Sequence, residues 1–577
     1  MAHHSSRHCN LTDCSVDQHS GRLAERLSRP EVEEYRLSRL VPIDPETIHS
    51  QRKFAMNPIR AIQKSIIALG IALGVLASAP AFSAGKPVVF LDNVEPIGLD
   101  PMFASASPGI MLSIHETLFR LDNDGKVVPA VAESIKLVNP LTWEIKIRPG
   151  LVFHNGEPIN ADAVVFTFTR AKTLFAAGKG DLNFALGALK YDRMEKIDNL
   201  TTRIVMQVPD PIITSHMVNP ELSILPPKYY SENPPEKVVF APVGAGGYRF
   251  VSYKPGEGLV LKAFDKYRLG KPPVDDVIVK AVPEVATRIS ELKAGSADLM
   301  VGVPPDLKAD LERAGVNVIV APSYRRLFIN IKQGLHPALA DVRVRQAMNY
   351  AVDCDEIATG LFGGMAKCSI DLVNSPNHNP NLKPYAFNPT KAKQLLTEAG
   401  WVPGADGVRV KNGVRLSLNF DTTNGSYLAD KEVAQVMADS WKAVGIEIKD
   451  LRVISNAVSA QMRAKQGAGF RDLMNSSSGP DYTCQGDLLL VQKDSGSNRM
   501  SWVDEKFETM FKAFSQEFDQ TKWPAMCNAA QAYVAEQAPV IWMFPEPTLY
   551  GVSKRLTYQA RPDGRVYLNL VLKGVKD

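Results

Sequence analysis

The stretch Asp341-Val-Arg-Val-Arg-Gln-Ala-Met-Asn-Tyr-Ala-Val-Asp353 decides how the rest of the chain is read. Asp341 is placed to cap a helix N-terminus, its carboxylate accepting from amide N–H groups that the first turn leaves without partners. Val344, Ala347, Met348 and Ala351 then fall at i, i+3, i+4 and i+7 and form one apolar stripe. The polar residues between them are expected to face out. The stripe alone specifies an amphipathic helix packed on a core.

Other stretches repeat this kind of reading along the chain. Trp143, Ile145 and Ile147 alternate as on a half-buried strand, and Pro149-Gly150 and Asn155-Gly156 turn the chain. Asp162 sits where a helix would start, before Val164, Val165 and Phe168. Asn388 reads as a helix N-cap, Pro389 as the first helical residue and Gly400 as the C-terminal stop. Two helix–glycine–strand units stand out: 285–292 with Gly295 and 298–303, and 433–444 with Gly445 and 446–448. Such alternation predicts α/β layers. Leu225-Pro-Pro227 and Asn233-Pro-Pro235 mark a boundary near residue 240.

The wording of these stretches adds a resemblance. The run 342–353 is similar to the "VRQAxNYAxD" helix of the extracytoplasmic solute-binding proteins of family 5, the peptide- and nickel-binding proteins that serve ABC importers. Trp143–Gly150, Leu151–Pro158 and Ala161-Asp162 are similar to that family's first signature. Gly244-Ala-Gly-Gly-Tyr248, with Asp265-Lys-Tyr267, Asp275 and Asp276, gives another match. It continues into Ala286–Gly295 and Ala297-Asp298-Leu299. Asn388–Gly400 and Ala538-Pro-Val-Ile541 complete the series, in the family's order, over roughly residues 88 to 560.

The resemblance implies an α/β, two-lobed periplasmic binding protein fold (type II, cluster C-like) with an extra inserted subdomain and a hinge. It places lobe I at 85–128, 241–325 and 546–577, with a subdomain at 129–240 inserted into it. Lobe II falls at 326–545. It also implies a periplasmic component of an ABC importer that captures a peptide or related polar solute by hinge closure. The partner would be an inner-membrane permease with its ATPase subunits. A nickel, metal-chelate or sugar-conjugate carrier of the same fold is the alternative, and a secreted hydrolase a more distant one.

Composition agrees. With 577 residues, 45% of them hydrophobic, the chain can bury a large core and must divide into domains. A formal net charge of +4 gives no electrostatic case for nucleic acid or an anionic membrane. Met56 is followed by Arg60 and Lys64, an apolar run from Ser65 to Ala79, and Ala79-Pro-Ala-Phe-Ser-Ala84. This reads as a secretory signal peptide over 56–84, cleaved after Ala81 or as late as Ala84. The apolar run is shorter than the about 20 residues of a spanning helix. No cysteine follows it, so a soluble periplasmic protein without a lipid anchor is expected. Residues 1–55 hold half of the ten histidines and no sustained apolar period. They read as a leader without a fold, or as the product of an upstream start codon. Cys354, Cys368, Cys484 and Cys527 allow three complete pairings in an oxidising compartment. A free buried thiol is the other reading for Cys484.

The chemical motifs are sparse. The sequence holds no G-x-S-x-G elbow, H-E-x-x-H or P-loop, and His115, His154, His216, His336 and His378 have no metal-ligand spacing. No catalytic residue, metal or cofactor is expected, and ATP hydrolysis would belong to the partner. A monomer is expected, because a closing receptor needs both lobes free. The family implies ligand contacts on loops at the lobe edges. Here these are Ser105 in 104–108, Asn424 and Tyr427 in 421–427, and Asn475, Ser476, Ser477, Asp481 and Tyr482 in 475–482, with Arg326 at the hinge crossing. Each also reads as an ordinary turn residue. Members similar to dipeptide binders pair the peptide amine with an acid in the third loop and its carboxylate with an arginine in the second. This chain offers Ser476-Ser477-Ser478 and Asn424-Gly425-Ser426 instead. That weakens a dipeptide, whose buried charges need partners. Arg326, Arg463 and Arg471 are the candidate substitutes. A longer peptide or a hydroxyl-rich conjugate suits the change.

Overall fold

The computed structural model describes residues 85–576 except 97, 104–107, 180–181, 322–323, 371, 374–376, 456–457, 460, 463–468, 478–482 and 493–501. The leader and signal-peptide readings lie outside the described residues, as do Ser105, Asp481, Tyr482 and Arg463.

Three large sheets organise the described residues. A seven-stranded sheet runs in the order Asn317–Ala321, Thr548–Val552, Leu299–Val301, Val88–Asp92, Asp276–Ala281, Gly258–Ala263, Tyr248–Lys254. Val88–Asp92 is parallel to both its neighbours and buried at every residue, as expected of a strand covered on both faces. A five-stranded sheet runs Glu447–Val453, Ser417–Thr422, Leu473–Ser477, Arg326–Ile331, Val540–Pro545. An antiparallel sheet of Ala132–Asn139, Thr142–Ile147, Thr201–Met206 and Tyr191–Lys196 stands apart. The architecture is mixed α/β and two-lobed. The chain passes between the two largest sheets twice, from Ala321 to Arg326 and from Pro545 to Thr548.

The opening stretch folds as a helix, Val342–Tyr350, and Asp341 accepts from the Arg343 amide at 3.0 Å. Val344, Ala347, Met348 and Ala351 are buried in the core over the five-stranded sheet. The expectation that the intervening polar residues face out needs correction. Arg345 and Asn349 are buried. Arg345 donates to the carbonyls of Leu339, Ala340, Gln537 and Ala538 at 2.8–3.2 Å. Asn349 donates to Val540 O and accepts from the Trp542 amide. These side chains saturate carbonyls at the end of the helix Trp523–Gln537 and on the strand Val540–Pro545, groups that would otherwise be buried unpaired. The helix that carries Arg345 and the run Ala538–Ile541 are thus two halves of one contact.

Elsewhere the local expectations hold. Asn388 accepts from Lys391 N at the start of Pro389–Glu398, and Gly400 takes φ +86° after it. At Gly244 a Cβ would run into the carbonyl oxygen of Ile114, and at Gly246 into that of Ser113, so only glycine lets these backbones meet. The cysteines pair as Cys354–Cys368 and Cys484–Cys527, so Cys484 is not a free thiol.

Candidate functional site

Both large sheets turn the carboxyl ends of parallel strands toward the two crossovers. In the five-stranded sheet Ser417–Thr422, Glu447–Val453 and Leu473–Ser477 are parallel, and Arg326–Ile331 runs back with Leu327 opposite Ser477. In the seven-stranded sheet Val88–Asp92 runs parallel to Leu299–Val301, whose Val301 pairs with Tyr550 near the second crossover. Ala321 pairs with Thr548 at the same edge. Ligands of open α/β sheets bind beyond such carboxyl ends, so the space between the two edges is the candidate site.

The crossovers are stitched together. Glu546 N donates to Arg325 O at 2.8 Å, and the Glu546 carboxylate pairs with Arg325 Nη1 at 3.0 Å. The other carboxylate oxygen accepts from Leu428 N at 2.7 Å. Arg325 also donates to Ser426 O (3.1 Å) and Ser477 Oγ (3.3 Å), with its guanidinium 4.8 Å from the centre of the Tyr427 ring. One arginine therefore touches both crossovers, the 423–427 loop and the end of Leu473–Ser477. On the other side Tyr324 N donates to Pro562 O and its hydroxyl to Asp124 O. Replacing Glu546 with Ala is expected to lower the unfolding free energy by about 1–2 kcal/mol, since it leaves Leu428 N without its acceptor while the ion pair, with a 41% exposed arginine, adds little. Urea denaturation checks this, and an unchanged midpoint counts against the stitch.

The loop 423–427 is shaped by a residue that the sequence reading misses. Asp430, buried, accepts from Thr423 Oγ1 at 2.6 Å and from the amides of Gly425, Ser426 and Tyr427 at 3.0–3.3 Å. An acid just inside a helix start, here Asp430–Lys442, is the available signal. Tyr427 is buried under Arg325, whereas Asn424 is exposed. Asn475 lies opposite Ile329 and is buried, and its Oδ1 has no protein partner among the described residues. Ser476 lies opposite Phe328, on the other face of the strand from Asn475 and Ser477.

Of the arginines weighed from the sequence, Arg326 turns away from this cluster and donates to Ser369 Oγ at 2.7 Å. Arg471 is taken up by Asp421 and Asp450. Arg325, the neighbour of Arg326, is the one that reaches the second loop. The alternation of side chains at a strand start accounts for the difference.

His115 and His154 are structural. His115 is fully buried and His154 half-buried, bonded through Nε2 to Leu99 O and Gly246 O, and burial pulls each down to about 4. Among the described residues no group of three or more His, Cys, Asp or Glu could hold a metal, and no helix is long and apolar enough to cross a membrane.

A family model described as bacterial extracellular solute-binding proteins, family 5, middle, matches residues 126–495. A glutathione-binding protein GsiB of Pectobacterium atrosepticum is 26% identical over 530 residues, which are 88% of this chain and 98% of that protein. The oligopeptide-binding protein AppA of Bacillus subtilis is 29% identical over 403 residues, 66% of this chain and 72% of that one. Among solved structures, Brucella suis NikA in complex with Fe(III)-EDTA superposes with a TM-score of 0.74 at 22% identity, covering 84% of this chain and 99% of NikA.

Proposed function

We propose that this chain, which belongs to the bacterial extracellular solute-binding proteins of family 5, captures a peptide or a related polar solute between its lobes and delivers it to an ABC permease. The observation that carries the reading is the pair of crossovers, which join two sheets at the carboxyl ends of their parallel strands. A ligand that touches both edges stabilises the closed arrangement because it reaches both only there. The names of the glutathione- and oligopeptide-binding relatives support the peptide class.

Strand membership supports a lobe I of 85–128, 241–325 and 546–577 and a lobe II of 326–545, with residues 129–240 carrying the separate four-stranded sheet. The proposed ligand set is Asn424, Tyr427, Asn475 and Ser477, with Ser105, Asp481 and Tyr482; Arg325 stands in it for Arg326, which donates to Ser369, and Ser476 drops out because it lies on the other face of its strand. The chain acts as a periplasmic monomer exported by the 56–84 signal peptide, hands its solute to a permease with ATPase subunits, and catalyses nothing itself. Arg325 supports the preference over a free dipeptide, because its charge is already matched by Glu546.

Mass spectrometry of what the native protein releases on unfolding tests the reading, with a thermal-shift screen of peptides, amino acids, sugars and metal chelates beside it. Released peptides and a melting rise with peptides alone are expected, since a ligand that binds only the folded state raises its stability. Stabilisation only by a sugar conjugate, or only by a metal and reversed by chelator, overturns the peptide class.

A further inference from the structure

Trp143 and Phe518 belong to different parts of the fold, yet their ring centroids lie 6.1 Å apart in a tilted arrangement. Trp143 is on Thr142–Ile147, in the four-stranded sheet, and is half-buried. Phe518 follows the helix Glu505–Ser515 of lobe II and is also half-buried.

The four-stranded sheet is fastened to lobe I. Ala130 N and Ala132 N both donate to Leu118 O, Ile224 N donates to Glu116 O, and His154 N donates to Gly244 O, all within 3.0 Å. The Phe518 turn is braced on the other side. Glu517 accepts from Asp519 N and pairs with Lys522 through its carboxylate, and its carbonyl accepts from Trp523 Nε1 at 2.8 Å. Two stiff supports thus present two rings to each other. The chain links those supports through the crossovers between Ala321 and Arg326 and between Pro545 and Thr548. A rotation about the crossovers that separates the lobes carries Trp143 away from Phe518.

We propose that the Trp143–Phe518 pair is a clasp between the inserted subdomain and lobe II that holds the lobes closed and sets how much of the protein is closed before ligand arrives. The proposal deepens, and rests on, the reading of the chain as a closing receptor. An aromatic pair of this kind shifts an open–closed equilibrium by about three- to tenfold, and the apparent affinity of a ligand for the closed form shifts in proportion to the closed fraction. Neither ring of the clasp is a member of the ligand set, so the clasp is expected to tune affinity without tuning specificity.

The test compares wild type, Phe518→Ala and Phe518→Tyr by small-angle scattering, and by titration with a panel of synthetic tri- to pentapeptides. Phe518→Ala is expected to raise the radius of gyration and to weaken every peptide that binds by one common factor, about two- to fivefold where wild type is half closed and at most about tenfold. Phe518→Tyr, which keeps a ring on the same turn, is expected to restore both. A radius of gyration unchanged in Phe518→Ala overturns the clasp whatever the peptides do. If no peptide binds wild type while Phe518→Ala expands, the clasp stands and the peptide reading fails.

Discussion

Lowering the pH from 7 to 4 is expected to destabilise the fold by about 3 kcal/mol for each of two histidines. His115 and His154 are held down to about 4 from the ordinary 6.5, in both cases chiefly by burial. A histidine depressed in this way binds its proton more readily in the unfolded chain. Its contribution is fully present above pH 6.5 and is lost as the pH falls from 6.5 to 4. Both rings donate through Nε2 to a backbone carbonyl, of Leu99 and of Gly246. His154 Nδ1 also faces Gly244 N at 3.4 Å, which leaves no acceptor for a second proton. The Arg249 guanidinium opposes protonation of His154, and so does the His115 ring once it takes its own proton. Urea midpoints at pH 7, 5.5 and 4 measure the effect. Carboxylates titrate in the same range, so the comparison that matters is with His154→Gln, which keeps a donor and cannot take the charge. The variant is expected to show a shallower fall, and parallel pH profiles would remove His154 from the account.

Replacing Arg345 with Met is expected to cost about 3–5 kcal/mol. The side chain is 3% exposed, and burial pulls the guanidinium down to about 10. Its partners are four carbonyls, two of them at the end of Trp523–Gln537, where the helix dipole is negative. Methionine fills the volume but leaves those oxygens buried without donors. Arg345→Lys is expected to recover only part, because one ammonium cannot span the geometry of the fork. The guanidinium chloride midpoint of each variant reads the loss, and a Met variant within about 1 kcal/mol of wild type would show that water reaches these carbonyls.

What is legible in the sequence is what local chemistry decides. Asp341, Asn388, Pro389 and Gly400 do what their types do within a turn of themselves. The family wording extends this to the two-lobed fold. Arg345 reads as solvated because its partners at Gln537 and Ala538 lie 192 and 193 residues along the chain. No spacing rule on one helix can see that far. The site is less legible for a related reason. Whether Arg325 or Arg326 meets the second loop depends on which face of a strand looks at Tyr427, and a shift of one residue reverses the answer. Asp430 escapes notice because a helix-start acid is common, and only the bonds it gathers mark it as the organiser of the 423–427 loop.

The seven-stranded sheet has a consequence for how the chain is made. Thr548–Val552, the strand that joins Asn317–Ala321 to Leu299–Val301, follows the whole of the five-stranded sheet in sequence. A chain emerging N-terminus first therefore holds its first lobe as two unjoined pieces while its second lobe is already complete. The exposed edge of Leu299–Val301 waits for a partner through that interval, and an unpaired edge is an invitation to other chains. Synthesis order makes lobe II the natural nucleus and lobe I the late, vulnerable step, so a truncation near residue 545 would yield one folded lobe and one aggregation-prone half-sheet.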